Sequence, residues 1–277
     1  MSPDDYCQQK AAQSGSSFYY SFLFLPPERR RAITALYAFC REVDDTVDEC
    51  TDIGIARTKL SWWRSEIGAM LAGTPTHPVT LALQPHMVPY KLDGQHLLAI
   101  IDGMEMDLDQ TRYLDYIGLQ RYCWHVAGVV GILSASIFGY QDKQTLAYAE
   151  KLGLAFQLTN IIRDVGEDAR IGRIYLPVNE LQQFGVTAAD LLNARHNDKF
   201  ENLMRFQVRR AQDAYEEAFA SLPQVDRRAQ RPGLIMAAIY RALLTEIERD
   251  GFHVLSQRIS LTPIRKLWLA WRTYIRG

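Results

Sequence analysis

The chain has 277 residues, of which 48% are hydrophobic, so it has enough apolar side chains for one large core. Its 31 Lys and Arg residues nearly cancel 32 Asp and Glu residues, leaving a formal net charge of −1 and no overall basic field to attract nucleic acid. These totals predict one domain over residues 1–277 that binds no nucleic acid. Any site for an anion must therefore be local.

The amino-terminal sequence MSPDDYCQQK is polar and acidic, without the basic and apolar regions of a secretory signal. No C-x-x-C pair or paired histidine pattern is present among the four cysteines and six histidines. A zinc site and a disulfide framework are therefore not expected, and we predict a cytoplasmic protein. The absence of a Walker loop and of a G-x-G-x-x-G motif gives no support for binding of a nucleotide such as NADPH.

Helical periodicity dominates the chain, with long helical stretches at residues 28–49, 56–72, 146–168 and 197–222. These stretches lack strand alternation and Asn-Gly hairpin signals. Proline and glycine predict breaks at residues 26–27, 73–78, 85–89 and 172–177 and at Pro223 and Pro232. None of the breaks is long enough for a domain linker, so we predict an all-α fold, a single-domain helical bundle.

The first carboxylate motif is YAFCREVDDTVDE, residues 37–49. On a helix, four of its polar side chains share one face at i, i+4, i+7 and i+11: Tyr37, Arg41, Asp44 and Asp48. Two carboxylates at i and i+4 repel each other, and a cation between them would relieve the repulsion. For this motif alone, a solvated acidic face is the alternative.

A further acidic segment, EMDLD at residues 105–109, follows Asp102. Glu105 and Asp109 share a helical face, and Arg112 stands three residues after Asp109, which suits an ion pair within one helix. The segment has no matching partner motif. We therefore predict a structural role for it.

The segment YCWHVAGVVGILSASIFGY, residues 122–140, is about as long as a membrane span and has no formal charge. His125, Ser134 and Ser136 interrupt it, and charged residues lie close to both ends. We therefore predict a fully buried helix instead of a membrane span.

The second carboxylate motif is FQLTNIIRDVGED, residues 156–168. Its polar side chains again share one face, at i, i+3, i+7 and i+11: Gln157, Asn160, Asp164 and Asp168. The rest of this helix is apolar, so the polar line runs beside core positions, where carboxylates need a counter-charge.

Two D-x-x-x-D helices that face each other would supply the oxygen ligands that Mg²⁺ prefers. Mg²⁺ commonly binds one or two carboxylates together with the phosphate oxygens of a substrate. The two motifs together therefore predict a Mg²⁺ and diphosphate site, in which nearby arginines neutralise the remaining charge: Arg41, Arg163, Arg170 and Arg173.

The last predicted helix, RKLWLAWRTYIRG at residues 265–277, combines Trp268, Leu269, Trp271 and Tyr274 with basic residues. This composition is typical of a helix at a membrane interface, and it leaves open a peripheral contact with the inner face of the membrane. The alternative, which we favour, is a capping helix that docks on the bundle with its basic residues in solvent.

Five segments, in the same order, resemble the squalene/phytoene synthase family. They are SGSSFYYSFLFLPPERR at residues 14–30, the two aspartate motifs, YCWHVAGVVG at residues 122–131 and GRIYLP at residues 172–177. DGMEMDLDQTRY at residues 102–113 and both ends of the chain are most similar to the bacterial branch that forms presqualene diphosphate for hopanoids. The resemblance implies a helical bundle of the isoprenoid synthase type with a central cavity.

The resemblance also implies roles for individual residues. Five would hold two or three Mg²⁺ ions: Asp44, Asp48, Asn160, Asp164 and Asp168. Others would contact phosphate or stabilise the developing cation: Ser17, Tyr37, Arg41 and Arg163. Arg173 is a further predicted substrate-binding residue. Polar positions around the reacting carbons would be Tyr122, Gln157, Tyr175 and Tyr240. Phe18 and Phe22 resemble aromatic residues of the pocket, with core packing as the alternative.

The implied reaction joins two molecules of farnesyl diphosphate head to head and closes a cyclopropane to give presqualene diphosphate. Residues 126–138 would line a dry cavity for the prenyl tails, with close helix packing as the alternative. The released diphosphate or a tyrosine-bound water would accept the final proton.

Three other functions stay open. One is a squalene synthase that reduces the intermediate with NADPH, although we expect no use of NADPH. The second is a phytoene or dehydrosqualene synthase, and the third is an inactive assembly factor of the same fold. Downstream enzymes of the pathway would be the partners.

Overall fold

The computed structural model describes residues 1–13, 21–22 and 24–276, so the predicted site residues Ser17 and Phe18 lie outside the described part of the chain. The predicted all-α class is confirmed. The described residues form helices and contain no strand, apart from one isolated bridge between Arg112 and Ile174.

Thirteen α-helices lie within these ranges: α1 Pro3–Gln13, α2 Pro27–Asp48, α3 Ile53–Leu71, α4 Pro78–Met87, α5 Gly94–Asp109, α6 Tyr116–Cys123, α7 Val129–Phe138, α8 Gln144–Arg170, α9 Val178–Phe184, α10 Ala188–Leu192, α11 Asp198–Ser221, α12 Arg231–Arg249 and α13 Pro263–Arg276. A π turn, Trp124–Gly128, joins α6 to α7, and short 3-10 turns follow α11 and α12. The cysteines Cys7, Cys40, Cys50 and Cys123 are free.

Two apolar clusters make up the core, and α7 lies between them. Val129, Leu133 and Ile137 of α7 pack into the cluster formed mainly by α2 to α5. Ala135, on another face of α7, packs into the larger cluster formed by α8, α11 and α12. The two aspartate helices, α2 and α8, thus belong to different clusters and meet where the clusters adjoin.

α2 and α8 end next to their aspartate motifs. α2 starts with Pro27 in its first turn and ends at Asp48, and α8 ends two residues after Asp168. The carboxyl end of a helix carries partial negative charge, which makes it an unfavourable place for carboxylates unless cations are near. Both motifs therefore require positive charge at these ends.

The prediction of a break at residues 85–89 is wrong at its start, because α4 continues through Pro85 to Met87. Pro85 lies in the last turn, where its missing N–H costs the helix only one hydrogen bond. The other predicted breaks lie at helix ends, and Pro232 stands in the first turn of α12.

Residues 122–138 form parts of two helices and a π turn, and each of these residues is buried or half-buried. By length and composition alone, Tyr116–Phe138 is the one described segment that could cross a membrane, and half of its 18-residue apolar window is buried. The prediction of a fully buried helix is therefore too strong. Several half-buried residues, among them Val126, Ala127 and Val130, line an internal cavity instead.

Close packing of α7 and the π turn on α8 depends on two glycines. A Cβ atom at Gly131 would lie 2.2 Å from the Ala149 carbonyl oxygen, and one at Gly153 would lie 2.3 Å from the Ala127 carbonyl oxygen. Since both neighbours are backbone atoms, a side chain at either position would push the helices apart. The same segment therefore combines close helix packing with a cavity wall.

Candidate active site between α2 and α8

The structure brings the two aspartate motifs together around one polar cavity of about 500 Å³. Asp44 and Asp48 enter it from α2, and Asp164 and Asp168 enter it from α8. The other predicted residues that line it are Arg41, Tyr122, Gln157, Asn160, Arg163, Arg173 and Tyr175. The two aspartates of each helix, which are spaced i and i+4, therefore form one acidic wall of the cavity. The wall on α2 faces the wall on α8.

On the α2 wall, Arg41 forms ion pairs with Asp44 and with Asp45, each at 2.5 Å. Burial, together with the nearby charge of Asp48, raises the pKa of Asp44 to about 7. A carboxyl group with such a pKa is poorly stabilised as an anion. Additional positive charge in the cavity would keep it ionised.

On the α8 wall, the Nε atom of Arg163 donates to Asp164 at 2.7 Å, and Arg258 lies 3.2 Å from the same carboxylate. Burial, together with the charge of Asp164, raises the pKa of Asp168 to about 7. Each wall thus holds one carboxylate whose negative charge is destabilised by burial: Asp168 on α8 and, despite its ion pair with Arg41, Asp44 on α2.

Arg173 connects the two walls. Its Nη1 atom lies 2.7 Å from Asp48 of α2, although Arg173 follows α8 in the chain. The chain turns at Gly172, whose φ of +83° favours glycine. This turn carries Arg173 and Tyr175 across the cavity.

Arg170 does not reach the cavity, and its predicted role there is wrong. It donates instead to the Leu255 carbonyl oxygen at 3.3 Å. Two residues along a helix turn the side chain by about 200°, so a position two residues after Asp168 faces away from the aspartates.

Asp107 of α5 is a cavity residue that the sequence motifs did not predict. It accepts hydrogen bonds from the hydroxyls of Tyr122 at 2.8 Å and Tyr175 at 2.9 Å. Burial raises the pKa of Asp107 to about 6, although nearby Arg173 opposes the shift. The carboxylate therefore fixes two predicted tyrosines against the cavity.

The sequence did contain a weak signal for Asp107, because it stands among apolar neighbours two residues from Glu105 and from Asp109. The structural role that we predicted for the segment is therefore wrong for Asp107, whereas Glu105 and Asp109 form ion pairs outside the cavity. Asp109 pairs with Arg57 at 2.5 Å, and Arg112 donates to the Gly172 carbonyl oxygen at 2.9 Å. The predicted ion pair between Asp109 and Arg112 is wrong because α5 ends at Asp109.

An apolar cavity of about 170 Å³ adjoins the polar one. Cys40, Val126, Gln157 and Asn160 line both cavities, so the two spaces share a wall. The predicted residues Phe22 and Tyr37 line the apolar cavity, together with Tyr148, Leu152, Gly131, Gly153 and Met236. A ligand with a charged head and an apolar tail would fit this arrangement.

Tyr240 does not line the polar cavity but lies behind Arg163 of the α8 wall. It is buried, and its hydroxyl has a hydrogen bond with the Arg163 guanidinium. Its contact with the site therefore passes through Arg163.

Whether the cavity fits a metal ion depends on the oxygen atoms of the side chains that line the cavity. In the described ranges, no three Asp, Glu, His or Cys side chains converge closely enough to hold an ion by themselves. The Oδ1 atom of Asn160, however, is buried without a hydrogen-bond partner, beside carboxylates whose charge is destabilised. These donors fit Mg²⁺ ions that complete their coordination with phosphate oxygens.

Comparison with known proteins agrees with these features. The squalene/phytoene synthase family model matches residues 11–265. A phytoene synthase of Arthrospira platensis is 36% identical over 274 residues, which cover 94% of this chain and 89% of the relative. The chloroplastic phytoene synthase of an Oncidium hybrid cultivar is 35% identical over 95% of this chain, which spans only 65% of that relative's length.

Solved structures show the same fold. A dehydrosqualene synthase in complex with a ligand has a TM-score of 0.91 and 27% identity, with 99% of this chain and 96% of the other covered. Squalene synthase HpnC from Alicyclobacillus acidocaldarius has a TM-score of 0.81 and 29% identity, with 90% and 94% covered. Sequence and structure thus agree over almost the whole chain, which belongs to the squalene/phytoene synthase family.

Proposed function

We propose that the chain is a prenyltransferase that joins two farnesyl diphosphates head to head and stops at presqualene diphosphate. The observation that carries the proposal is the polar cavity with two aspartate walls that shares Gln157 and Asn160 with an apolar cavity. The polar part suits a diphosphate bound with cations, and the apolar part suits a prenyl tail.

In the first step, the allylic C–O bond of one substrate breaks and its electron pair leaves with the diphosphate. Asp44, Asp48, Asn160, Asp164 and Asp168 would hold Mg²⁺, which when bound would supply positive charge to stabilise the leaving group. Arg41, Arg163 and Arg173 are held in the cavity by their ion pairs with aspartates, so they neutralise the remaining charge without reorganisation.

In the second step, the double bond of the other substrate attacks the allylic cation. Loss of one proton then closes the cyclopropane. Tyr122 and Tyr175 are poor acceptors for this proton, because burial and the Asp107 carboxylate raise the pKa of both phenols and keep them protonated. A neutral water bound by either tyrosine is a weaker base than the diphosphate anion, so we assign the proton to the released diphosphate.

Phytoene synthesis from geranylgeranyl diphosphate is the second candidate, because phytoene synthases are 35–36% identical to this chain. The two substrates differ in tail length, and the tail would lie in the apolar cavity, whose lining includes Phe138, Tyr148 and Met236. Chain length is therefore the property that separates the two candidates.

The test incubates the purified protein and Mg²⁺ with farnesyl or geranylgeranyl diphosphate, with and without NADPH, and identifies products by mass spectrometry. We expect presqualene diphosphate from the farnesyl substrate, with no further conversion when NADPH is added. Squalene formed only with NADPH, or turnover of the geranylgeranyl substrate alone, would contradict the proposal. No turnover of either substrate would favour the inactive assembly factor.

A further inference from the structure

The carboxy-terminal helix α13 presents its apolar side to solvent. Six large apolar side chains fall within about 120° of the helix circumference at 3.6 residues per turn: Ile264, Leu267, Trp268, Trp271, Tyr274 and Ile275. Each of the six is exposed, from 38% for Tyr274 to 81% for Ile264. Ala270, by contrast, is fully buried against the bundle. We call these six residues the outer face of α13.

An outer face of this kind reverses the usual orientation of an amphipathic helix, whose apolar stripe normally faces the core. Exposed apolar surface of this size in water marks a contact with another surface. Trp and Tyr, which supply three of its six side chains, are also enriched where proteins meet the boundary between lipid and water.

The sequence of α13 is basic outside its apolar face. From Pro263 to the end, the chain has no Asp or Glu and four basic residues: Arg265, Lys266, Arg272 and Arg276. Arg272 lies over the ring of Trp268, with its Cζ atom 5.0 Å from the ring centroid, and Arg265 pairs with Glu246. This local excess is present in a protein whose net charge is −1.

A groove of about 430 Å³ lies beside α13 and adds to this charge. Three of the described residues that line it are arginines, namely Arg227, Arg241 and Arg272, and none is acidic. The other lining residues are Phe219, Leu234, Ala238, Leu269 and Thr273. Arg241 also pairs with Glu216 at 2.8 Å. A phosphate group is the kind of ligand that such an arginine groove suits.

We propose that the outer face of α13 and the arginine groove dock the protein on a bilayer that contains anionic phospholipids. The apolar and aromatic side chains would enter the interface between headgroups and acyl chains, and the arginines would contact headgroup phosphates. A second copy of the chain fits less well, because a two-fold contact through this face would bring the same cations together.

The position of α13 links this surface to the apolar cavity. The Cζ atom of Arg231 lies 5.2 Å from the ring centroid of Tyr274. The next residues of α12, Pro232 and Gly233, line the apolar cavity. The proposed docking surface therefore lies against the helix that walls the cavity, which would place an apolar product close to the bilayer.

The test measures co-sedimentation of the full chain with vesicles of pure phosphatidylcholine or of phosphatidylcholine mixed with phosphatidylglycerol, at low and high salt. We expect binding to the anionic vesicles that weakens with salt. The double variants Trp268→Ser with Trp271→Ser, and Arg227→Gln with Arg272→Gln, should each weaken this binding about tenfold or more.

Leu114→Ser with Ile117→Ser is the matched control, because these side chains, just before α6 and in its first turn, are 79% and 76% exposed and lie outside the proposed surface. The control should bind like the wild type. All variants should keep the helical circular dichroism signal and turn over detergent-dispersed substrate, so loss of docking is distinguishable from loss of catalysis.

Three results would overturn the proposal. One is equal binding to neutral and anionic vesicles, and another is unchanged binding by both double variants. The third is a wild-type dimer in analytical ultracentrifugation that becomes monomeric with the tryptophan substitutions while vesicles bind neither form.

Discussion

Asp48 and Asp164 lie on opposite walls of the polar cavity, and both are paired with arginine. Asp48 accepts a hydrogen bond from Arg173, Asp164 accepts one from Arg163, and Arg258 forms an ion pair with Asp164. These pairs hold the carboxylates in place before a cation or a diphosphate arrives. Preorganisation of this kind is what electrostatic catalysis requires.

Substitution of either aspartate by alanine, in Asp48→Ala or Asp164→Ala, should lower kcat about a thousandfold, because each removes an oxygen ligand from one wall. The helical circular dichroism signal should stay unchanged. Asp109→Ala is the matched control, since Asp109 is an exposed carboxylate at the end of α5 that pairs with Arg57 of α3. Steady-state kinetics with farnesyl diphosphate provides the measurement, and near-normal activity of either cavity variant would contradict the two-wall site.

Asp107 acts on the site through the tyrosines that it holds. Asp107→Asn should lower kcat about 10- to 100-fold, the usual cost of losing a group that orients the residues of a site. Tyr122→Phe removes one end of the same hydrogen bond, so the two substitutions together should cost less than the sum of their separate effects.

Asp102→Asn serves as the control for Asp107→Asn, because Asp102 is on the same helix but pairs with Arg64 outside the cavity. Additive effects of Asp107→Asn and Tyr122→Phe would indicate that the two residues act separately.

At the scale of elements, the contact of α7 and the π turn with α8 determines the shape of the apolar cavity. The π turn Trp124–Gly128 adds one residue to the helical path, and its Val126 lines both cavities. π turns are rare and often occur at functional sites. Gly131 then allows the backbones of α7 and α8 to approach closely.

Gly131→Ala should lower the free energy of unfolding by about 1–3 kcal/mol, because the new methyl group would meet the Ala149 carbonyl and force the helices apart. Gly68→Ala is the control: a Cβ atom there has no neighbour within 4 Å, and alanine favours the helix by up to about 1 kcal/mol. Urea unfolding measures both. A neutral or stabilising Gly131→Ala would show that the helices separate at little cost.

At the scale of the whole molecule, the site is divided between two core clusters, and no three of the described acidic, His or Cys side chains form a complete metal site. Under the proposed function, phosphate oxygens of the substrate would therefore be needed beside these side chains to hold Mg²⁺. Binding of metal and of diphosphate should depend on each other.

Mg²⁺ together with inorganic diphosphate should raise Tm by about 5 °C when both are well above their dissociation constants. Either one alone should raise it much less, because carboxylates without metal repel the diphosphate. Differential scanning fluorimetry measures the shifts, and EDTA should reverse the joint effect. A full rise with Mg²⁺ alone would indicate a metal site that the protein completes by itself.

Local patterns in the sequence predicted the class, the long helices and the two aspartate motifs. A period of 3.6 residues makes side chains at i, i+4 and i+7 neighbours on a helix wherever that helix is placed. The family resemblance is confirmed, because its motifs are also local and appear in order along the chain. The single-domain organisation and the roles of the site residues stay predictions.

Only the tertiary structure decided which residues from separate segments share the site. Asp107 joins the tyrosines, and Arg173 crosses to Asp48, because turns and helix ends place them there, whereas Arg170 faces away. The orientation of α13 is the clearest case. Its sequence defines an apolar and a basic side, but the contacts of Ala270 with the bundle decide that the apolar side faces outward. Helical periodicity determines which side chains share a face, and packing against distant residues determines where that face points.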